Sequence, residues 1–173
     1  MKKILPFIML AAGSLFMFSC DNNDDVVQDY DTYSQMRDVS GSLTSTNNFA
    51  VNVPITIQNT DVVLVYRNVS NVWQPLPKNY YLDNVATLPT GRELEYNFVF
   101  DKNQVQIRTE SNFNQETQMT AGEVSQYLNN QTFRVVLVPA SSAKTTAVDL
   151  KDYNAVVNYY QLDESKIKTV YVK

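Results

Sequence analysis

Histidine is missing from all 173 residues. That removes every Ser-His and Cys-His nucleophile system together with the commonest metal ligand. Zinc would have to rely on carboxylates, a poor match to its usual nitrogen and sulfur ligands. Cysteine is nearly missing too: Cys20 stands alone, so the chain cannot close a disulfide on itself. Positive charge is scarce, with 14 Lys and Arg against 18 Asp and Glu, a formal charge of −4. That balance argues against a nucleic-acid partner, which wants a basic face. Beyond Cys20 there is no apolar run of the roughly 20 residues that a helix needs to cross a bilayer.

What is present begins with a leader. Lys2 and Lys3 precede an uncharged, mostly apolar stretch from Ile4 to Phe18, laid out as a cleaved export signal. The sequence "LFMFSC" resembles a bacterial lipobox, in which cleavage leaves an acylated cysteine as the first mature residue; Phe18 is bulkier than the usual small residue there. Cys20 is therefore expected to carry lipid, each buried CH₂ of which contributes about 0.8 kcal/mol to anchoring. Removing Lys2 and Lys3 leaves twelve basic against eighteen acidic side chains, a charge of −6. Asp21, Asp24 and Asp25 follow in a run similar to the acidic signal that directs Bacteroidetes lipoproteins to the cell surface. Asp21, Asn23 and Asp25 also match the first ligands of an EF-hand, but Val26 and Thr32 stand where glycine and glutamate are needed, so calcium is discarded. Three segments are expected: a signal peptide at 1–19, a lipidated cysteine and acidic tether at 20–34, and one domain at 35–173. The tether would reach roughly 20 Å as a flexible chain.

The domain reads as mainly β. Phe49, Val51, Val53, Ile55 and Ile57 alternate with smaller or polar residues, the period of a half-buried strand. Pro54 within it predicts an edge position. Val39, Gly41 and Leu43 are expected as its hairpin partner across Ser45 to Asn48. "DVVLVYR" suits a strand covered on both faces, and "VWQPLP" and "YYLD" follow it. "LEYNFVF-DKN-QVQIRT" reads as a hairpin, with Asn103 expected in the left-handed conformation. "TFRVVLVP" and "IKTVYV" complete the strands. Thr120 and Glu123 have capping-box spacing for a short helix presenting Val124, Tyr127 and Leu128 inward. A second helix is expected to open at Asp149, with Leu150, Tyr153, Val156, Val157 and Tyr160 on one face. The pattern predicts an antiparallel β-sandwich of about seven strands with two helices, with an α+β arrangement as the alternative.

"DVVLVYR", "VWQPLP…YYLD", "RELEYNFVFDKNQVQI", "TFRVVLVP" and "DLKDYNAVVNYYQL" occur in order over roughly residues 36 to 172. Together they resemble a family of small flavobacterial and Bacteroidetes lipoproteins. The shared segments are structural, so the resemblance implies location and fold and assigns no chemistry. Some members carry a collagen-like tract between the cysteine and the domain. Here only Gly41, Gly91 and Gly122 follow Cys20, so that tract is absent.

Few residues offer chemistry. Ser141 and Lys144 have the Ser-x-x-Lys spacing of penicillin-recognising enzymes, but Pro139 and the polar surroundings predict a loop. Glu93 and Glu95 share one strand face, whereas carboxylates that cleave glycosides must flank a bond across a cleft, roughly 5–10 Å apart. They read as solvent-facing. Trp73, Tyr80 and Tyr81, near prolines and Lys78, are candidate ligand-binding aromatics, of the kind that sugar-binding surfaces and protein hot spots use; core packing is the alternative. No catalytic residue, metal ligand or cofactor site is expected. The expected function is a non-catalytic outer-membrane lipoprotein facing the exterior, an accessory or interaction module. The alternative is a glycan-binding lipoprotein beside an uptake system. The expected partners are the membrane, through the lipid on Cys20, and an extracellular protein or glycan.

Overall fold

Two strands show what period-two alternation gives when both faces are covered: β3 (Val62–Val69) and β8 (Gln131–Val138). Val63, Val65, Phe133 and Val135 point into the space between two sheets, while Tyr66, Val136 and Val138 point the other way, toward a helix. The computed structural model describes residues 35–57, 61–139 and 148–172. The leader, Cys20, Asp21, Asp24, Asp25, the tether and the Ser141 to Lys144 segment lie outside the described residues.

Around β3 and β8 the first sheet adds β1 (Gln35–Gly41), β4 (Val72–Pro75) and β9 (Lys168–Tyr171), in the order β4-β3-β8-β1-β9. The second contains β2 (Ala50–Pro54), β5 (Lys78–Tyr81), β6 (Glu93–Phe100) and β7 (Gln104–Ser111), in the order β2-β7-β6-β5. Every ladder is antiparallel except that between β1 and β9. The sheets close on an apolar layer that includes Val39, Val53, Leu94, Val105, Ile107 and Phe133, each fully buried. Burying each such side chain contributes about 1.5–3 kcal/mol. The mainly β sandwich with two helices is thus the fold. Nine strands are described where about seven were expected; β4 and β5, either side of the Leu76–Pro77 cis peptide, join different sheets.

Pro54 does lie on an edge strand, β2. The expected hairpin between the Val39–Leu43 segment and the Phe49–Ile57 segment does not form. β1 pairs with β8 and β9, and β2 pairs with β7 in the other sheet. Leu43 is buried and its N–H donates to Leu128 O at 2.9 Å, which draws the chain out of the first sheet before the next strand begins. A one-turn 3₁₀ helix at Ser45–Asn47, then Asn48 and Phe49 at φ 54° and 52°, carry it across. The β6–β7 hairpin forms as expected, but Asn103 is not left-handed. Instead the Asp101 carboxylate accepts from the N–H of Asn103 and of Gln104, at 2.7 and 2.9 Å, and tightens the turn directly.

Helix α1 (Ala121–Tyr127) carries the expected capping box: Thr120 Oγ1 accepts from Glu123 N, and Glu123 accepts from Thr120 N. It seats Val124, Tyr127 and Leu128 on the inter-sheet core. Glu123 is also gripped from outside the helix by Arg92, whose two terminal nitrogens donate to its two oxygens at 2.7 and 2.9 Å. Those bonds hold the Glu123 carboxyl at about 2, well below its ordinary 4.5. The sign follows: a carboxyl lowered by folding adds stability above its unfolded value and loses it as pH falls toward the folded one. The stability difference between native protein and Glu123→Gln is therefore expected to be widest near neutrality. It should shrink as the pH drops from about 4.5 toward about 2. Urea unfolding at stepped pH measures it, and a difference unchanged across that window would show that the pair adds no pH-dependent stability.

Helix α2 (Tyr153–Tyr160) opens three residues later than expected. Asp152 is its N-cap, accepting from Asn154 N and Ala155 N, while Asp149 closes the preceding turn by accepting from Lys151 N. Leu150 is consequently 38% exposed, not inward-facing. Tyr153 and Val156 are buried against the outer face of the first sheet, with Val157 and Tyr160 packed beside them.

Candidate ligand-binding cleft

Trp73, Tyr80 and Tyr81 do not share a surface. Trp73 pairs with Asn68 across β3 and β4 and faces α2, half-buried, its ring 5.7 Å from that of Tyr153. The Arg134 guanidinium lies 4.1 Å from the Trp73 ring centre. Tyr80 belongs to the other sheet and turns toward the core, 5.6 Å from Tyr96 and 5.3 Å from Tyr127. Tyr81 follows it on β5, points the opposite way and is 73% exposed. No flat platform can be made from these three, because the chain changes sheets between the first and second and changes face between the second and third. Glu93 is exposed and Glu95 half-buried beside Glu110 in register, so no cleft separates that pair either.

A different group is set apart by its electrostatics. Three arginines are buried, Arg67, Arg92 and Arg134, at 3%, 2% and 7% exposure. Arg92 has Glu123; Arg134 has Asp38, which it grips through Nε and Nη2 at 2.7 and 2.9 Å, and Glu164 at 2.7 Å. Arg67 forms no ion pair among the described residues. A buried charge without a counter-charge is costly unless other groups replace its water. Here Gln131 Oε1 accepts from Nε at 3.0 Å and Nη2 at 2.7 Å, and Gln126 O accepts from Nη2 at 2.8 Å. Three tyrosine rings do the rest: the guanidinium carbon lies 4.5, 5.0 and 5.7 Å from the ring centres of Tyr96, Tyr80 and Tyr127. Such cation–π contacts contribute about 0.5–2 kcal/mol each.

The cage is itself fixed. The Tyr96 hydroxyl donates to Tyr127 O, and the Tyr80 hydroxyl donates to Gln74 Oε1. Burial pushes the Tyr96 and Tyr127 phenols above their ordinary value, although the Arg67 charge works against the shift. These rings therefore stay neutral at physiological pH, and the local charge is that of Arg67.

Arg67 lines a cleft of about 550 Å³. One wall is the end of β3 with the Ser70–Asn71 turn, whose two residues have φ of 50° and 65°, as a two-residue hairpin loop requires. Tyr80 forms a second wall. The third is the end of α1 and the start of β8, contributing Ser125, Gln126, Asn129, Asn130 and Thr132. None of the lining residues is acidic. Among the described residues, no group of three Asp, Glu, Cys or His side chains is placed to hold a metal ion. No helix among them is long and apolar enough to cross a membrane.

The sequence carried one signal for this site. In "DVVLVYR", Val63, Val65 and Arg67 fall on the same strand face by period two, which places a cation where the pattern calls for an apolar residue. Comparison with models of known protein families, with curated proteins and with solved structures finds no match to this chain.

Proposed function

We propose that this chain is a lipid-anchored outer-membrane lipoprotein whose β-sandwich is a non-catalytic binding module facing the cell exterior. The observation that carries the binding part is Arg67, which lines an open cleft, buried and without a counter-charge among the described residues. A wall of amides, hydroxyls and tyrosine rings around one cation is equipped to hold a ligand. It lacks the paired carboxylates or nucleophile–base pair that acid–base or covalent chemistry needs. The anchor rests on the leader and on Cys20, with Asp21, Asp24 and Asp25 as the surface address. An extracellular protein or a glycan is the partner class. The glycan reading no longer rests on Trp73, Tyr80 and Tyr81 together. It is favoured by the polar lining of the cleft, in which Tyr80 is the one member of that trio.

Protease shaving of intact cells tests anchoring and exposure. The native domain is expected to be cleaved on whole cells. Cys20→Ala should leave the membrane fraction, and replacement of Asp24 and Asp25 by alanine should protect the domain. A native domain that resists protease until the outer membrane is opened would remove the surface assignment and turn attention to periplasmic partners.

A further inference from the structure

We infer that the Arg67 cleft binds a carboxylated sugar, with the guanidinium of Arg67 taking the carboxylate and the amide-rich wall taking the ring hydroxyls. This rests on the binding-module reading and names its ligand class.

Of the five N–H donors of a guanidinium, three hydrogen bonds engage Nε and Nη2, to Gln131 and Gln126. The two N–H groups of Nη1 lie outside that set. Arg67 is also the one buried arginine of the three with no carboxylate of its own among the described residues. A ligand carboxylate would supply the missing counter-charge, and charge-assisted bonds to a guanidinium are among the stronger and more directional hydrogen bonds available. No acidic side chain lines the cleft to repel it.

The rest of the ligand is defined by the wall. Ser125, Asn129, Asn130 and Thr132 both donate and accept, which matches hydroxyl groups, since these do the same. The cleft is lined mainly by the ends of β3 and β8, both interior strands of the first sheet, and the edge strand β5 contributes only Tyr80, so it offers no continuous backbone ladder to an extended peptide. Its volume, about 550 Å³, is that of a small-molecule site.

The test uses the lipoprotein in detergent, with methyl glucuronide, methyl glucoside and acetate as probes, followed by saturation-transfer NMR and by titration of the Arg67 side-chain N–H signal. The glucuronide is expected to bind at least about tenfold more tightly than the neutral glucoside, the range that a charge-assisted hydrogen bond supplies, and more tightly than acetate, which lacks the ring hydroxyls that the wall would hold. Arg67→Gln should abolish the preference for the charged sugar. Ser125 is exposed on α1, so Ser125→Trp should block the mouth and remove binding while far-ultraviolet circular dichroism and the unfolding midpoint report an intact fold. Equal binding of glucuronide and glucoside would overturn the carboxylate assignment and leave a neutral-sugar module. Acetate binding as tightly as glucuronide would overturn the sugar assignment. No binding of any probe would overturn the inference as a whole, and a domain still cleaved by protease on intact cells would then point to a protein partner.

Discussion

Arg134→Ala is expected to lower the unfolding free energy by about 3–5 kcal/mol, because it strips the cation from a buried pair and leaves the other partner's charge in place. Asp38, whose side chain is 16% exposed, would lose both of its bonds to the guanidinium. Glu164 contributes less, being 53% exposed, but it also accepts from the Tyr153 hydroxyl at 2.6 Å, so the same substitution loosens the anchor of α2. The Trp73 ring would lose its cation as well. Trp73 is the only tryptophan in the chain, which makes it a built-in reporter: its emission should shift to the red as α2 lifts and water reaches the indole. Urea unfolding followed in parallel by tryptophan emission and far-ultraviolet circular dichroism measures both effects. A loss below about 1 kcal/mol would place this cluster with exposed ion pairs, whose contribution is small.

Phe133→Ala should cost about as much by a different route, about 3–5 kcal/mol, or roughly 10–20 °C in Tm. Phe133 is wholly buried at the centre of the first sheet, opposite Val39 on one side and Arg67 on the other. Its ring lies 6.0 Å from that of Tyr96. Alanine would leave a cavity walled by two β-sheets, whose ladders hinder collapse, so the cavity cost adds to the lost burial. Phe133→Leu keeps most of the volume and is expected to lose less than about 1.5 kcal/mol. Similar losses for the two would mean that the site relaxes around the gap.

Period-two alternation made most strands legible because it records which face of a segment is apolar. It holds no record of which neighbour completes the sheet, which is why β1 and β2 were expected as a hairpin yet lie in opposite sheets. The α1 cap was legible because Thr120 and Glu123 are three residues apart; Arg92, which grips the same glutamate, is 31 residues away and was not. In "DLKD" both aspartates can cap a helix, and the choice of Asp152 is made by the need to turn Tyr153 and Val156 onto the sheet. The candidate aromatics failed as a group for a related reason. Trp73 and Tyr80 are seven residues apart in sequence but belong to different layers, and closeness along the chain carries no information about that. Arg67 was missed, although it breaks the apolar pattern of its strand face; its tyrosine cage and cleft left no trace to read, since Tyr96, Tyr127 and Gln131 come from three separate elements.

The register of β1 also gives the domain a direction. Gln35 pairs with Leu137, and Gly41 pairs with Gln131, a residue of the cleft wall. Whatever precedes Gln35 therefore enters the first sheet at the end remote from the cleft, and the seven residues of β1 separate the two by roughly 20 Å at about 3.4 Å per residue. On the proposed attachment through Cys20, the cleft would lie at the end of the domain away from the attachment point. At physiological salt the field of a charged bilayer fades over about 8 Å. An anionic ligand of the proposed kind would then reach the rim beyond the range of a negative surface at the attached end.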